Sequence, residues 1–249
     1  MIDAVIFDLD GVLLDSEQLW DRARRDVARD HGGHWVAEAT AAMQGMSSVE
    51  WARYMQHALG VQLSQDAVVD LVVERLMASY DESGLPLLPG ALEAVSRLGQ
   101  RWPLGLASSS NRVVIDKVLD VAGVRDLFEV TVSSEEVAHG KPAPDVYLEA
   151  ARRLGRVSSR CVAIEDSANG IRAGVAAAMR VVAVPNREFR PADEVLAIAD
   201  LVLESLGELT VRRLEALDKQ ASADERLDEE EIESFPASDP HADWAGRPT

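Results

Sequence analysis

From Gly84 onward, short apolar runs alternate with amphipathic stretches of helical period, and no other feature of the sequence limits the available folds as strongly. Helices are expected at residues 90–100, 112–121, 144–154 and 170–178. Between and after them lie strands at 104–107, 129–132, 161–164, 181–184 and 201–203. Strands separated by helices of about 10 to 15 residues pair in parallel through right-handed crossovers. Sheets of this kind carry ligands at the carboxyl ends of their strands.

Residues 1–14 supply one more strand of buried type, which meets Asp8 and Asp10 and stops at Gly11. The next seventy residues have a different period. Leu19, Trp20, Ala23 and Val27 keep helical spacing until Gly32 and Gly33, with Asp15, Ser16 and Gln18 as the capping region. Ser47 with Glu50 reads as a capping box, and Val69, Val72, Val73, Leu76, Met77 and Tyr80 share one helix face. The expected fold is therefore α/β: a doubly wound (Rossmann-like) parallel sheet core from residues 1–14 and 85–216, with an inserted all-helical domain at 15–84.

Residues 217–249 hold ten acids against Lys219, Arg226 and Arg247, together with Pro236, Pro240 and Pro248. So polar a segment cannot offset its ordering entropy, and a disordered acidic tail is expected. The whole chain has a net charge of −18, which repels a phosphate backbone and disfavours nucleic acid as a partner. No apolar run reaches the roughly 18 to 20 residues of a membrane span. Residues 4–7 are followed at once by two acids, which speaks against a signal peptide. Cys161 is the single cysteine, as suits a reducing, cytoplasmic setting. The five histidines have no metal-ligand spacing with it, so zinc is not supported. Monomer is favoured, with a dimer left open.

Four expected strand ends carry unusual residue sets. The first is Asp8-Leu9-Asp10-Gly11, where a period of two turns both acids to one side. Two like charges there are costly unless a divalent cation with a preference for hard oxygen ligands sits between them. The second runs from Ser108 to Asn111 and offers hydroxyls and amides at a helix start, where an anion is favoured. In the third, Gly140 to Asp145, two prolines stiffen the turn that aims Lys141. Lysine occurs only three times, against 22 arginines, which points to a compact charge at that position. The fourth places Glu165 and Asp166 directly after an apolar strand. Each set alone also reads as an ordinary turn, cap or solvated charge. Together they place six chemically useful side chains on one edge of the sheet.

The motifs DxDGxhhDS, SSS, GKPxPD and EDSxxG, in this order over about residues 1–210, resemble those of the haloacid dehalogenase-type phosphohydrolase superfamily. Within it, the run from Asp15 to Trp20 resembles sugar-phosphate phosphatases grouped with β-phosphoglucomutase, those of hexitol and 2-deoxyhexose phosphates especially. The resemblance implies that the insert is a helical cap. It further implies that Asp8 is the nucleophile and Asp10 the acid and base. Magnesium would be held by Asp8, the carbonyl of Asp10 and Asp166, with Glu165 acting through water. Ser108, the amide of Ser109 and Lys141 would bind the phosphoryl oxygens. Trp20, Gln44, Gly45, Met46 and Ser47 are candidates for the cap surface that meets the leaving group, and Trp20 reads equally as core. The connectors at 14–16 and 83–89 are expected to act as hinges for closure.

The implied function is a phosphatase of small phosphorylated metabolites. The mutase has a histidine where Trp20 stands and a basic residue after the turn that here reads Gly45-Met46-Ser47-Ser48, so a second phosphate is harder to hold and mutase is the alternative. Dehalogenation does not need Glu165 and Asp166. A non-enzymatic phosphometabolite-binding regulator would be expected to have lost some of the six residues, and none is missing.

Overall fold

Six strands form one parallel sheet in the computed structural model, which describes residues 1–186 and 189–218. They are β1 (Ala4–Phe7), β2 (Leu104–Ser108), β3 (Val130–Ser133), β4 (Cys161–Glu165), β5 (Arg180–Ala183) and β6 (Leu201–Val202), in the spatial order β3-β2-β1-β4-β5-β6. The chain steps outward from β1 to β3, then returns to the other side of β1 with β4. This reversal opens a crevice at the carboxyl ends of β1 and β4.

Both faces of the sheet are covered, so its strands are apolar on both sides. Val5 and Phe7 of β1 join one hydrophobic cluster, with Leu106, Ile164 and Val182 from neighbouring strands. Ala4 and Ile6 join the other, with Val132, Ala163 and Val181. The helices α5 (Ala91–Gly99) and α6 (Arg112–Ala122) pack in the first cluster. The second takes α7 (Asp145–Arg153), α8 (Ala168–Ala176) and the short α9 (Asp193–Leu196).

Between β1 and α5 the only regular elements are helices: α1 (Glu17–Asp30), α2 (Ala39–Met43), α3 (Ser48–His57) and α4 (Gln65–Ser83). Trp20, Val27, Trp51, Met55, Val72 and Leu76 interlock there, continuous with the first sheet cluster. The chain enters and leaves this insert through one ribbon. Leu14 bridges antiparallel to Leu87, the Asp15 amide donates to Pro86 O at 2.8 Å, and the Leu88 amide donates to Leu13 O at 2.9 Å.

Several boundaries differ from the sequence reading for local reasons. β2 and β4 each run one residue further, to Ser108 and Glu165. α8 begins at Ala168 because the Ser167 hydroxyl accepts the Gly170 amide at 3.0 Å and caps the helix early. Ser16 stands at the N-cap of α1, yet its side chain makes no capping bond and is used elsewhere. The short α2 has no counterpart in the reading. Residues 211–218 are helical, with Leu217 in the hydrophobic cluster and Asp218 paired with Arg180 at 2.9 Å, so the packed core continues two residues past the expected boundary. The rest of the expected acidic tail lies outside the described residues.

The Ser47–Glu50 capping box is formed, with the Ser47 amide and hydroxyl both donating to Glu50 Oε2 at 2.9 and 2.6 Å. Ser47→Ala should therefore cost about 1 kcal/mol, seen as a fall of about 2 to 4 °C in thermal unfolding.

Candidate active site

The register of the sheet aligns the site. Phe7 pairs with Leu106 on one side and Ile164 on the other, so the next row across three strands is Ala107, Asp8 and Glu165. Lys141 reaches all three from the turn before α7. Its ammonium donates to Asp8 Oδ1 at 2.7 Å, Ala107 O at 3.0 Å and Glu165 Oε1 at 2.6 Å. Those are all the protons an ammonium has. Lys141 is 2% exposed, Asp8 6% and Glu165 0%.

Glu165 is fully engaged. Oε1 also accepts the Tyr147 hydroxyl at 2.8 Å, and Oε2 accepts the Asp166 amide, the Ser167 amide and the Ser167 hydroxyl at 3.1 to 3.4 Å. Gly170 makes room for it, since a Cβ there would lie within 2.0 Å of the carboxylate atoms.

Asp166 is the opposite case. Both its carboxylate oxygens are buried and have no partner among the described residues. A Cβ on Gly11, at φ +78°, would fall 1.9 Å from Asp166 Oδ2, so this glycine is needed for both the turn and the close approach. Burial pushes the Asp166 carboxyl well above its usual range, and Glu165 and Asp8 add to that. Burial also pushes Asp8 up to about 8, against the attraction of Lys141. Lys141 itself is held charged by Asp8 and Glu165, which outweigh its burial.

Three buried carboxylates and one ammonium leave two uncompensated negative charges when all are ionised, the charge that a divalent cation cancels. Asp8, Glu165 and Asp166 offer oxygens within 4.8 Å of one another. The donors are all hard oxygens, and the orphaned ones belong to Asp166, so the residues fit a metal of the magnesium type. Glu165, with its lone pairs taken, contributes charge more than coordination.

Asp10 lies past the end of β1, so the turn and not the pleat brings it beside Asp8 at one cavity. Its carboxylate faces the insert: Oδ1 accepts the Ser16 hydroxyl at 2.5 Å and the Trp20 indole N–H at 2.9 Å, and Oδ2 accepts the Ser110 hydroxyl at 2.5 Å. Trp20 is thus both buried and part of the site. Ser108 is buried at the end of β2, and its Oγ accepts the Ser110 amide at 3.0 Å, which leaves its own proton free.

The insert closes the cavity. The Ser109 hydroxyl donates to Gly45 O at 3.0 Å, the Asn169 side-chain Nδ2 to Gln44 O at 3.1 Å and the Ser48 hydroxyl to Asn111 Oδ1 at 2.7 Å. Gly45 and Met46 line the cavity with Asp8, Asp10, Ser109, Ser110, Lys141 and Asp166. Ser47 does not line it, because its hydroxyl is used in the capping box of α3. Sequence reasoning missed Ser16, Glu17, Arg24 and Tyr147, and left Ser110 unassigned. The spacing 17, 20, 24 was the available signal, since it puts two charged residues on the helix face of Trp20.

The profile of haloacid dehalogenase-like hydrolases matches residues 2–178. The chain belongs to that family. Hexitol phosphatase B of Escherichia coli K12 is 39% identical over 229 residues, covering 85% of this chain and 96% of its own. Hexitol phosphatase A of the same strain is 33% identical over 84% of the chain and 93% of its own. Among solved structures, β-phosphoglucomutase from Clostridium difficile superposes with a TM-score of 0.78 at 26% identity, over 90% of this chain and all of its own. CbbY from Rhodobacter sphaeroides in complex with phosphate gives 0.74 at 28% identity, over 84% of this chain and 96% of its own. As a haloacid dehalogenase-like hydrolase of the phosphatase type, the chain is an enzyme. No helix among its described residues is long and apolar enough to cross a membrane.

Magnesium should raise the melting temperature of the wild type, by the equivalent of about 2.7 kcal/mol at a hundred times its dissociation constant, and Asp166→Asn should abolish most of that increment. Lys141→Met leaves two buried carboxylates facing each other and should cost about 3 to 5 kcal/mol in urea unfolding.

Proposed function

We propose that this enzyme is a magnesium-dependent phosphatase of small sugar phosphates, namely hexose, deoxyhexose or polyol monoesters, and that it works through an aspartyl-phosphate on Asp8. The observation that carries the reading is the orphaned carboxylate of Asp166 beside the Asp8–Lys141 pair, at the end of a cavity that Asp10 also lines. The hexitol phosphatase relatives support the substrate class.

Asp8 attacks phosphorus, so that its oxygen–phosphorus bond forms as the bond to the leaving oxygen breaks. Asp10 gives its proton to that oxygen, then takes one from the water that splits the phosphoryl enzyme. Its partners suit both states. Ser16 and Ser110 are hydroxyls, which donate to a carboxylate and can turn to accept from a carboxylic acid. Asp8, the Asp10 carbonyl and Asp166 would hold magnesium, with the charge of Glu165 behind them, and the bound ion would supply electrostatic stabilisation of the phosphoryl oxygens. The free proton of Ser108 and the amide of Ser109 bind those oxygens. Lys141 has no free proton to give, so it acts on them through its charge while fixing Asp8.

The fold similarity to β-phosphoglucomutase keeps one other reading in play, a mutase that returns the phosphoryl group to sugar. Phosphate release from a panel of sugar and polyol phosphates with magnesium tests both. Release should fall by about a thousandfold or more in Asp8→Asn and by about 10² to 10⁴ in Asp10→Asn. Conversion of β-glucose 1-phosphate to glucose 6-phosphate without release would overturn the phosphatase reading in favour of the mutase.

A further inference from the structure

The insert end of the cavity is lined by Glu17, Trp20, Arg24, Met46 and Trp51. Glu17 and Arg24 are 8% and 6% exposed, on the face of α1 that carries Trp20. The Arg24 guanidinium lies 5.1 Å from the ring centroid of Trp20 and 5.3 Å from that of Trp51. Trp20 and Trp51 themselves meet at 6.3 Å. Yet Arg24 Nε is buried with no hydrogen-bond partner among the described residues. Buried opposite charges whose hydrogen-bonding capacity is unmet are a poor stabilising device.

Each is the other's main counter-charge. Burial pushes the Glu17 carboxyl up to about 7, and Arg24 is the largest influence against it. Burial lowers Arg24, and Glu17 opposes that most strongly. This end of the cavity therefore offers a fork of donors, an acceptor, two indole faces and a thioether, with the carboxyl of Glu17 set against the guanidinium of Arg24. Lys141, at the other end, is occupied by Asp8, Ala107 and Glu165.

We infer that Glu17 and Arg24 form a neutral donor–acceptor pair that holds neighbouring hydroxyls of an uncharged polyhydroxy leaving group, with Trp20, Trp51 and Met46 against its C–H surface. The pair also sets specificity by exclusion. A leaving group with a carboxylate or second phosphate would meet Glu17 and Asp10 while finding Arg24 already countered, so its charge would be desolvated without a full partner. Arg24 supplies a cation that comparison of the two mutase positions does not show, and Glu17 cancels it. The inference rests on the phosphatase reading and names the leaving group that reading accepts.

Three probes separate the two claims: sorbitol 6-phosphate, 6-phosphogluconate, which has nearly the same length but ends in a carboxylate, and p-nitrophenyl phosphate, which has no hydroxyls to hold. Wild type should prefer sorbitol 6-phosphate to 6-phosphogluconate by about a hundredfold in kcat/KM. In Arg24→Met the ratio of kcat/KM for sorbitol 6-phosphate over p-nitrophenyl phosphate should fall by about 30-fold, chiefly through KM for the polyol. Arg24→Lys, which keeps the charge but loses the fork, should lower the same ratio and serves if the first variant does not fold. Glu17→Gln should raise the ratio of 6-phosphogluconate to sorbitol 6-phosphate by about tenfold, because Arg24 is then free to meet an anion. Ratios that stay within twofold of wild type in the folded variants would overturn the inference, as would a wild type that accepts both sugar acids and polyols equally. If wild type releases phosphate from none of the three, the phosphatase reading fails and this inference falls with it.

Discussion

The ammonium of Lys141 is the point on which the arrangement turns. It joins three neighbouring strands at one height of the sheet by bonding Asp8, Ala107 and Glu165. Without it, two buried carboxylates would repel each other where the backbone cannot move them apart, because β1 and β4 are paired residue by residue. With it, the row is fixed and Asp8 is presented at a single orientation. Glu165 needs five donors to remain buried, and Tyr147, Ser167 and the start of α8 provide those that Lys141 does not. The shape of the crevice thus follows from satisfying one interior charge after another.

Asp8 and Asp10, two residues apart, sit in unlike surroundings. Asp8 belongs to the core and is held by a buried cation. Asp10 belongs to the boundary, with one partner on the loop after β2 and two on the insert. Such a division separates a carboxylate held in place as a nucleophile from another that must exchange a proton. The insert therefore completes the surroundings of the proton-transfer group as well as covering it.

Most of this architecture was legible in the chain. The parallel sheet announces itself through apolar runs at regular intervals, and the insert through a change of period at Asp15. The strand-end sets name Asp8, Asp10, Lys141 and Asp166 because acids and a rare lysine at such positions need a reason. Other features were hidden because they depend on distance in space. Ser16 looks like a helix cap by sequence and bonds Asp10 across the boundary instead. Ser47 looks like a surface that meets substrate, yet its own helix uses it. Tyr147, Glu17 and Arg24 read as ordinary helical residues until the packing shows which face is turned inward. That Lys141 has its three protons committed is a statement about three strands at once, which no local pattern contains.

The ribbon at Leu13–Asp15 and Pro86–Leu88 has a further consequence. Because the two connectors are bonded to each other, the four-helix insert is covalently joined to the sheet at one place, much as a long loop is attached at its neck, and its other contacts with the core are side-chain packing and a few hydrogen bonds. Loop-closure entropy grows only slowly with length, so the content of such a loop can be lengthened, shortened or exchanged at little thermodynamic cost to the neck. The strand register that aligns Asp8 with Glu165 lies on the far side of that neck. This geometry separates two rates of change: the phosphoryl end is locked by neighbours in three strands, whereas the end that chooses the alcohol is a replaceable part.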